Sequence, residues 1–252
     1  MEAGRPDNLA RYSQADVVAH YASAEGLQPC ERYVFDRYLN PGAAILDLGV
    51  GGGRTTPFLS SLGGRYVGAD YSQAMVMVCR SKWPQLDFRW CDATEMGEFS
   101  QNEFDAVIFS FNGIDSIGTV EARQRCFSEV ARVLRPRGLF VFSSHNARQL
   151  GVWPQLEGAK AYQIAWRVVR SVGKSVAIAA RCIMTGAFRE GQGYILDPVH
   201  GGLRTFVSTP ATLGPELHKA GFDLLETVHG HYPTVKSSYL APWYYYVCRS
   251  HG

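Results

Sequence analysis

The sequence predicts an α/β protein in which helices flank a largely parallel sheet. Short apolar, β-prone runs alternate with amphipathic stretches along the first part of the chain, which is the pattern that builds such a sheet. A glycine-rich turn, GVGGG at 49–53, follows the first of these runs. The 252 residues, 46% of them hydrophobic, suffice to bury the core of one domain with an insertion.

Five runs are predicted as strands, at 43–48, 65–69, 86–90, 104–110 and 139–144. Helices are predicted between them: one follows Arg54, a second follows Ser72 as its N-cap, and a third covers 119–134, where apolar residues recur on one helical face. The RPRG segment at 135–138 predicts a turn into the fifth strand. A helix-like stretch at 147–202 precedes further strand, helix and strand signals at 203–210, 211–222, 223–230 and 243–249.

Composition and charge argue against several classes of protein. The formal charge of +2 is too small to indicate a dedicated nucleic-acid surface, and no window holds 18 uncharged apolar residues. The N-terminal segment lacks an apolar block behind a basic leader. Six cysteines without a CxxC pair lie mostly in apolar segments and predict reduced core thiols. We therefore expect a cytoplasmic protein with no nucleic-acid partner and no stable membrane insertion.

The glycine-rich turn predicts a ligand site at the carboxyl edge of the sheet, because its backbone N–H groups can approach a ligand closely. A dinucleotide fingerprint requires a third glycine where Arg54 stands, which weakens the pyrophosphate interpretation. Arg54 itself is expected to be a solvated first-turn residue. Asp70, at the end of the second strand, can accept hydrogen bonds from both hydroxyls of a ribose, and Asp92 provides a second acid at the end of the third strand.

With Asp47 two residues before Gly49, and with Asp70 and Asp92 closing the next two strands, the sequence resembles the class I S-adenosylmethionine-dependent methyltransferases. The likeness covers 18–145 and returns at 203–249. It implies a Rossmann-like, doubly wound, seven-stranded and mostly parallel sheet with an antiparallel last strand, in one domain over 1–252. It also implies an N-terminal helical cap over 1–40 and a helical lid at 147–202, inserted between strands 5 and 6.

The same resemblance implies S-adenosylmethionine as the cofactor, S-adenosylhomocysteine as the product, and a set of binding residues. The expected cofactor contacts are Gly49, Gly51, Gly53, Asp70, Tyr71, Asp92, Ala93, Ser110, Phe111 and Tyr21. In the family, the acid at Asp92 takes the exocyclic amine of adenine, the N–H at Ala93 takes a ring nitrogen, and Asp47 supports the glycine loop. Other readings stay open: a tight connection for the glycines, helix N-caps for Asp70 and Asp92, and a core aromatic for Tyr21.

Candidate residues for the acceptor side lie in three segments. SSHN at 143–146 places His145 and Asn146 at the end of the fifth strand, GYILDPVHGGL at 193–203 holds Tyr194 and His200, and Asn112 follows the fourth strand. Either histidine could deprotonate a hydroxyl acceptor, whereas a loop histidine bonded to the backbone is the plainer interpretation. We expect substrate contacts from the two asparagines and the tyrosine. The histidines show no HxxxH or HExxH spacing, so no metal site is expected.

The insertion carries a basic stripe, because Lys160, Arg167, Lys174 and Arg181 recur every seven residues in an otherwise apolar segment. Three interpretations compete: a lid that roofs the pocket, an interfacial helix on anionic lipid, and a core helix with a solvated face. The lid is favoured here.

The predicted function is metal-independent methyl transfer to oxygen or nitrogen of a small, cyclic or aromatic metabolite, by a monomer or homodimer. Two alternatives are an NAD(P)-dependent oxidoreductase and a non-catalytic S-adenosylmethionine-binding partner protein.

Overall fold

The computed structural model describes residues 8–150, 161–198, 202–233 and 237–251. Three helices come first, α1 (Asn8–Tyr12), α2 (Ala15–Ser23) and α3 (Pro29–Tyr38). Strands and helices then alternate as predicted, in the order β1 (Ile45–Leu48), α4 (Thr56–Ser61), β2 (Tyr66–Asp70), α5 (Gln73–Lys82), β3 (Asp87–Trp90), β4 (Phe104–Phe109), α6 (Val120–Val133) and β5 (Leu134–Asn146). A 3-10 turn, Gly113–Ser116, lies between β4 and α6.

The rest of the described chain alternates in the same way. It comprises α7 (Ala161–Met184), α8 (Ala187–Glu190), β6 (Gln192–Leu196), β7 (Arg204–Ser208), α9 (Pro210–Lys219), β8 (Phe222–His229) and β9 (Trp243–Ser250). A short 3-10 turn, Ser238–Leu240, precedes β9.

The main body of the sheet has the strand order β3-β2-β1-β4-β5-β9-β8. The first five strands of this order are mutually parallel, and β9 is antiparallel to both of its neighbours. The predicted Rossmann-like, doubly wound sheet with an antiparallel last strand is therefore confirmed. Parallel strands that begin on one side of the sheet all end at the same edge, so Asp70, which closes β2, and the glycines that follow β1 meet there.

The described residues form nine strands, two more than the seven predicted, and one of the additional strands is β6, at the end of the insertion. β6 pairs antiparallel with β7, from Gln192 opposite Ser208 to Leu196 opposite Arg204. β7 in turn pairs with the end of β5, at His145 and Asn146, on the edge that β4 leaves free. The insertion, predicted to be helical over 147–202, thus contains a sheet strand and is not purely helical.

The RPRG segment is a bulge within β5 and not a turn before it. β4 and β5 pair at Phe104 and Leu134 and then again at Ala106 and Leu139, so the intervening residues of β5 have no counterparts on β4. Arg137 lies in the left-handed region, with a φ of 62°. The residues that predict a turn do interrupt the regular pairing, but they form a local bulge within β5.

Both faces of the sheet are covered, which explains the nearly continuous apolar strands. Alternate residues point to opposite faces: Leu46 and Phe140 contact the side covered by α6 and α9, whereas Ile45 and Val141 contact the side covered by α3, α4 and α5. All six cysteines are buried free thiols, as the sequence predicts.

Candidate cofactor and acceptor site

A cavity of about 650 Å³ opens where β1, β2, β3 and β4 end. This volume falls within the range of small-molecule sites. Nine of the ten expected cofactor residues line it: Gly49, Gly51, Asp70, Tyr71, Asp92, Ala93, Ser110, Phe111 and Tyr21. The tenth, Gly53, lies outside the lining, against the ring of Trp83. The structure thus brings together residues that are far apart in the sequence.

The glycine loop is shaped partly by the protein itself. Gly49 has a φ of 66°, and a Cβ atom there would lie 2.4 Å from a ring carbon of Phe109. A Cβ atom on Gly52 would lie 2.3 Å from the backbone oxygen of Tyr21, because α2 packs directly onto the loop. Lys82 strengthens this contact, since its Nζ donates to the backbone oxygen of Gly52 at 3.0 Å. The tight-connection interpretation therefore accounts for part of the glycine pattern.

Asp70 connects the second strand to the glycine loop. Its Oδ2 accepts the N–H of Gly51 at 2.8 Å, and its Oδ1 accepts the N–H of Ser72 at 2.8 Å. Burial raises the pKa of Asp70, although the two backbone donors oppose that rise. A carboxylate offers about four lone-pair positions, so Asp70 retains capacity for two ligand hydroxyls. Ser72 occupies the predicted N-cap position of α5, but its side chain makes no capping hydrogen bond.

Asp92 and Tyr71 line the cavity just after the ends of β3 and β2. The Oδ1 of Asp92 accepts both the N–H and the hydroxyl of Thr94, each at 2.8 Å, so part of its carboxylate holds a local turn. Tyr71 is 45% exposed, and its ring lies 5.9 Å from that of Trp90 with a tilt of 30°. The indole N–H of Trp90 donates to the backbone oxygen of Tyr71 and fixes this aromatic pair. A planar ligand group would find a polar acceptor and an aromatic surface here.

Asp47, to which the resemblance assigns support of the glycine loop, contacts Thr55, just after that loop, and Tyr66 on β2. It is fully buried and accepts hydrogen bonds from Thr55 Oγ1 at 2.7 Å and Tyr66 Oη at 2.9 Å. Burial raises the pKa of Asp47 to about 6, against the opposing effect of these two donors. Its ionisation is therefore coupled to the packing between β1, β2 and the loop.

Arg54 is not the solvated residue that was expected. Two of its nitrogens lie 2.5 Å from the carboxylate of Glu31, which is completely buried on α3 and also accepts the hydroxyl of Tyr245 at 2.5 Å. The guanidinium carbon lies 5.0 Å from the centre of the Phe111 ring, and Arg54 lines the cavity. We call the three residues Glu31, Arg54 and Tyr245 the buried clamp. It ties α3 and β9 to the loop that borders the cavity.

Phe111 and Asn112 form a strained corner after β4. Their φ angles are 57° and 61°, in the left-handed region that residues other than glycine rarely adopt. Ser143 Oγ accepts the N–H of Asn112 at 2.7 Å and holds the corner in place. Such strain is typical of functional sites, where surrounding contacts maintain it. Asparagine tolerates this conformation, but nothing in the sequence marks the phenylalanine.

His145 forms a dyad with an acid that sequence reasoning missed. Its Nδ1 lies 2.8 Å from Oδ2 of the buried Asp115, which also accepts the N–H of His145 and the hydroxyl of Ser144. Burial lowers the pKa of His145, but the hydrogen bond and charge of Asp115 outweigh burial, so the pKa is raised. A carboxylate can only accept, so the neutral ring carries its proton on Nδ1. Its Nε2 then faces the amide of Asn112, 3.3 Å away.

None of the expected acceptor residues that the structure describes is on the cavity wall. The wall includes none of His145, Asn112, Asn146 and Tyr194. Asn146 is buried, and its amide is used by the backbone oxygens of Ser238 and Ala241 and the N–H of Arg148. The hydroxyl of Tyr194 donates to the backbone oxygen of Ile117 at 2.8 Å. His200 lies outside the described residues.

The cavity extends beyond the expected cofactor residues, between α1, the start of α6 and β7. Tyr12, Ser116, Arg125 and Arg204 line this part, which we call the acceptor end. Burial raises the pKa of Tyr12, whose hydroxyl lies 3.1 Å from that of Ser116. The guanidinium carbon of Arg204 lies 4.5 Å from the centre of the Tyr194 ring. Within the part of the chain that is described, neither arginine pairs with a carboxylate.

Potential metal ligands cluster at one place in the described ranges, far from the expected cofactor residues. His218, Asp223 and His251 are exposed and have ligand atoms within 4.8 Å of one another. None of them lines the cavity.

Comparisons with known proteins find methyltransferases. Residues 46–142 match the family model described as a methyltransferase domain. The chain is similar to the demethylmenaquinone methyltransferase of Paenarthrobacter aurescens, with 30% identity over 158 residues, which is 60% of this chain and 60% of that protein. It therefore spans less than two thirds of the length of this curated relative.

Two solved structures share the fold. The CcbJ methyltransferase of Streptomyces caelestis superposes with a TM-score of 0.62 at 19% identity, covering 96% of this chain and 98% of that one. The 1,6-didemethyltoxoflavin-N1-methyltransferase of Burkholderia thailandensis has a TM-score of 0.62 at 16% identity, covering 100% and 93%. Its structure contains bound 1,6-didemethyltoxoflavin and S-adenosylhomocysteine. At such identities the likeness concerns the fold alone.

Proposed function

We propose that this chain is a class I S-adenosylmethionine-dependent methyltransferase and that it transfers a methyl group from S-adenosylmethionine to a small acceptor. The observation that carries the proposal is the position of Asp70. Its carboxylate closes β2, holds the N–H of Gly51 and lines the cavity with capacity to spare. The names of the similar proteins, which act on demethylmenaquinone and on didemethyltoxoflavin, support a small cyclic acceptor.

The residues of the cavity fit this cofactor. Asp70 would hold the ribose hydroxyls, Asp92 and Ala93 the adenine, and the glycine loop with Tyr21 the methionine part. When bound, S-adenosylmethionine supplies an electrophilic methyl group on a sulfonium. The carboxylates that line the cavity, Asp47, Asp70 and Asp92, all lie at the end expected for this cationic donor.

The chain's own residues mainly orient the reactants and exclude water. Burial raises the pKa of the Tyr12 and Tyr21 phenols, which therefore stay protonated and act as hydrogen-bond donors and apolar walls. The contact between Gly52 and Tyr21 keeps α2 packed against the glycine loop. Placing an acceptor in line with a methyl group needs positioning more than acid or base strength.

A base role for His145 stays a prediction. The imidazole is 25% exposed, but neither it nor Asn112 lines the cavity. These positions favour transfer by positioning, most simply to a nitrogen that binds in its neutral form. A hydroxyl acceptor would instead require a base to remove its proton, either His145 or His200, which lies outside the described residues.

The acceptor end favours a molecule with an anionic group. Arg125 and Arg204 bring two positive charges to this end, and Arg204 stacks on Tyr194, which fixes its guanidinium. A carboxylate or phosphate of the acceptor would pair with either arginine.

Methyl transfer can be measured directly. The purified protein is incubated with methyl-labelled S-adenosylmethionine and pairs of cyclic phenols and amines that differ only in a carboxylate or a carboxamide. We expect labelled product, and we expect it mainly from the carboxylates. Arg204→Gln should reduce this preference, whereas Arg189→Gln, at an exposed position on α8, should not.

Two controls address the alternative functions. Binding of NADH in place of S-adenosylhomocysteine would indicate an oxidoreductase, and binding without any labelled product would indicate a non-catalytic partner. Loss of transfer in EDTA would contradict the metal-independent reaction.

A further inference from the structure

Helix α7 contacts the rest of the protein through small side chains. Ser175, Ala179 and Cys182 form its buried face, with exposed fractions of 4%, 8% and 0%. Within this face, Cys182 belongs to one apolar cluster with Ala187 and Ile195, which are on α8 and β6. Of the larger apolar side chains of α7, Ile178 packs partly buried against the same cluster, whereas most of the others are on another side of the helix. Most of the large apolar side chains of α7 are thus not used for packing inside the protein, in contrast to the usual amphipathic helix.

Most of the large apolar side chains of α7 face solvent. Trp166, Val169, Val172, Val176 and Ile183 are between 57% and 66% exposed. They recur at intervals of three, three, four and seven residues, so they form a continuous stripe along one side of the helix. We call these five residues the apolar stripe. Contiguous exposed patches of this kind mark interaction sites in soluble proteins.

A row of positively charged residues lies on α7 as well, separated from the apolar stripe by the buried face. Arg170, Lys174 and Arg181 recur at intervals of four and seven residues on the other flank of the buried face, and α7 contains no aspartate or glutamate. Two such helices packed against each other would bring like charges together, which disfavours a second copy as the partner. The same charges are complementary to an anionic surface.

The structure also bears on the two other interpretations of the insertion, as a lid and as a core helix. No described residue of α7 lines the cavity, so the geometry does not support a lid formed by α7. Residues 151–160 of the predicted lid lie outside the described residues. A core helix with a solvated face would place the apolar stripe inward, and the stripe is exposed.

We infer that α7 binds the surface of an anionic lipid membrane, an interaction that does not depend on the proposed methyl transfer. The apolar stripe would lie at the level of the acyl chains, with Trp166 at the boundary where tryptophan is favoured. Arg170, Lys174 and Arg181 would reach the lipid phosphates. The contact is peripheral, because no helix in the described ranges is both long and apolar enough to cross a bilayer.

Vesicle flotation of the full chain tests this inference. We expect binding to vesicles of phosphatidylcholine with about one third phosphatidylglycerol, and about tenfold weaker binding to phosphatidylcholine alone, because part of the attraction is electrostatic. High salt should weaken the interaction with the anionic vesicles.

Matched variants identify the surface. Val176→Glu, in the apolar stripe, should reduce binding to anionic vesicles by about tenfold or more. Met77→Glu, at a position on α5 that is 68% exposed, introduces the same charge away from α7 and should leave binding unchanged. Arg170→Gln with Lys174→Gln should reduce the binding to anionic vesicles and its salt dependence. Circular dichroism and S-adenosylhomocysteine binding show that each variant is folded.

Three results would overturn the inference. These are no binding to either vesicle, equal binding to both, and equal effects of Val176→Glu and Met77→Glu. Self-association of the wild-type chain that Val176→Glu abolishes, without vesicle binding, would instead identify the stripe as a contact between copies.

Discussion

Replacing Glu31 with glutamine should destabilise the fold by about 3 to 5 kcal/mol, which is the usual cost of leaving a buried charge without its partner. Glu31 is fully buried, and the side chain of Arg54 is only 14% exposed. The carboxylate accepts four hydrogen bonds: two from Arg54, one from the hydroxyl of Tyr245 and one from the N–H of Gln28. Glutamine keeps the shape of the side chain but removes the charge.

The matched control lies on the same helix. Arg32 and Asp36 form an ion pair with side chains 61% and 50% exposed, so Asp36→Asn should cost less than about 1 kcal/mol. Urea unfolding gives both values, and at about 2 to 4 °C per kcal/mol the melting temperature of Glu31→Gln should fall by about 6 to 20 °C. Combining Glu31→Gln with Arg54→Met should recover part of the loss, because no unpaired charge then remains buried.

A loss below about 1 kcal/mol for Glu31→Gln, no larger than that of Asp36→Asn, would refute the reasoning. It would mean that water reaches Arg54 and that the buried clamp does not hold α3 to the cavity.

Three further changes test separate parts of the site. Burial raises the pKa of Asp47 to about 6, so the stability tied to its neutral form is complete below the ordinary value of 3.8 and is lost as the pH rises through about 6. At about 1.4 kcal/mol per unit, wild type should lose about 3 kcal/mol over this range and Asp47→Asn much less, as measured by urea unfolding at each pH. Asp115→Asn should lower the pKa of His145 below its ordinary value of 6.5, because burial then acts without the opposing carboxylate; an unchanged imidazole titration by NMR would contradict this. Gly52→Ala should weaken S-adenosylhomocysteine binding by about tenfold or more, since its Cβ would push α2 off the loop, whereas Gly97→Ala, with open space around it, should bind normally.

The sheet and the grouping of the expected cofactor residues could be predicted because the sequence patterns that indicate them are local. Each apolar run up to β4 fixes one strand to within two residues of its observed start, and parallel strands carry their terminal residues to a common edge. The sequence positions of Gly51, Asp70 and Asp92 were therefore enough to group them. Nine of ten expected cofactor residues line one cavity for this reason.

The features that the sequence did not predict depend on contacts between segments that are far apart in the chain. Asp115 reaches His145 across 30 positions, and Tyr245 reaches Glu31 across 214, so no spacing rule could have paired them. The sequence did not predict β6, because this strand forms by pairing with β7, which itself pairs with the end of β5. Arg54 looked solvated because its partner lies on a helix that the sequence does not connect to the loop.

Binding of S-adenosylhomocysteine to wild type and to Asp70→Ala, measured by titration calorimetry, tests the proposed site most directly. We predict that wild type binds without added metal and that Asp70→Ala binds more weakly by about 2 to 4 kcal/mol, or tens to hundreds of times, because two ribose hydrogen bonds are lost. Asp87→Ala, an exposed acid on the neighbouring strand, should bind like wild type. No binding by wild type, or equal affinity of Asp70→Ala and wild type, would contradict the assignment of this cavity to S-adenosylmethionine.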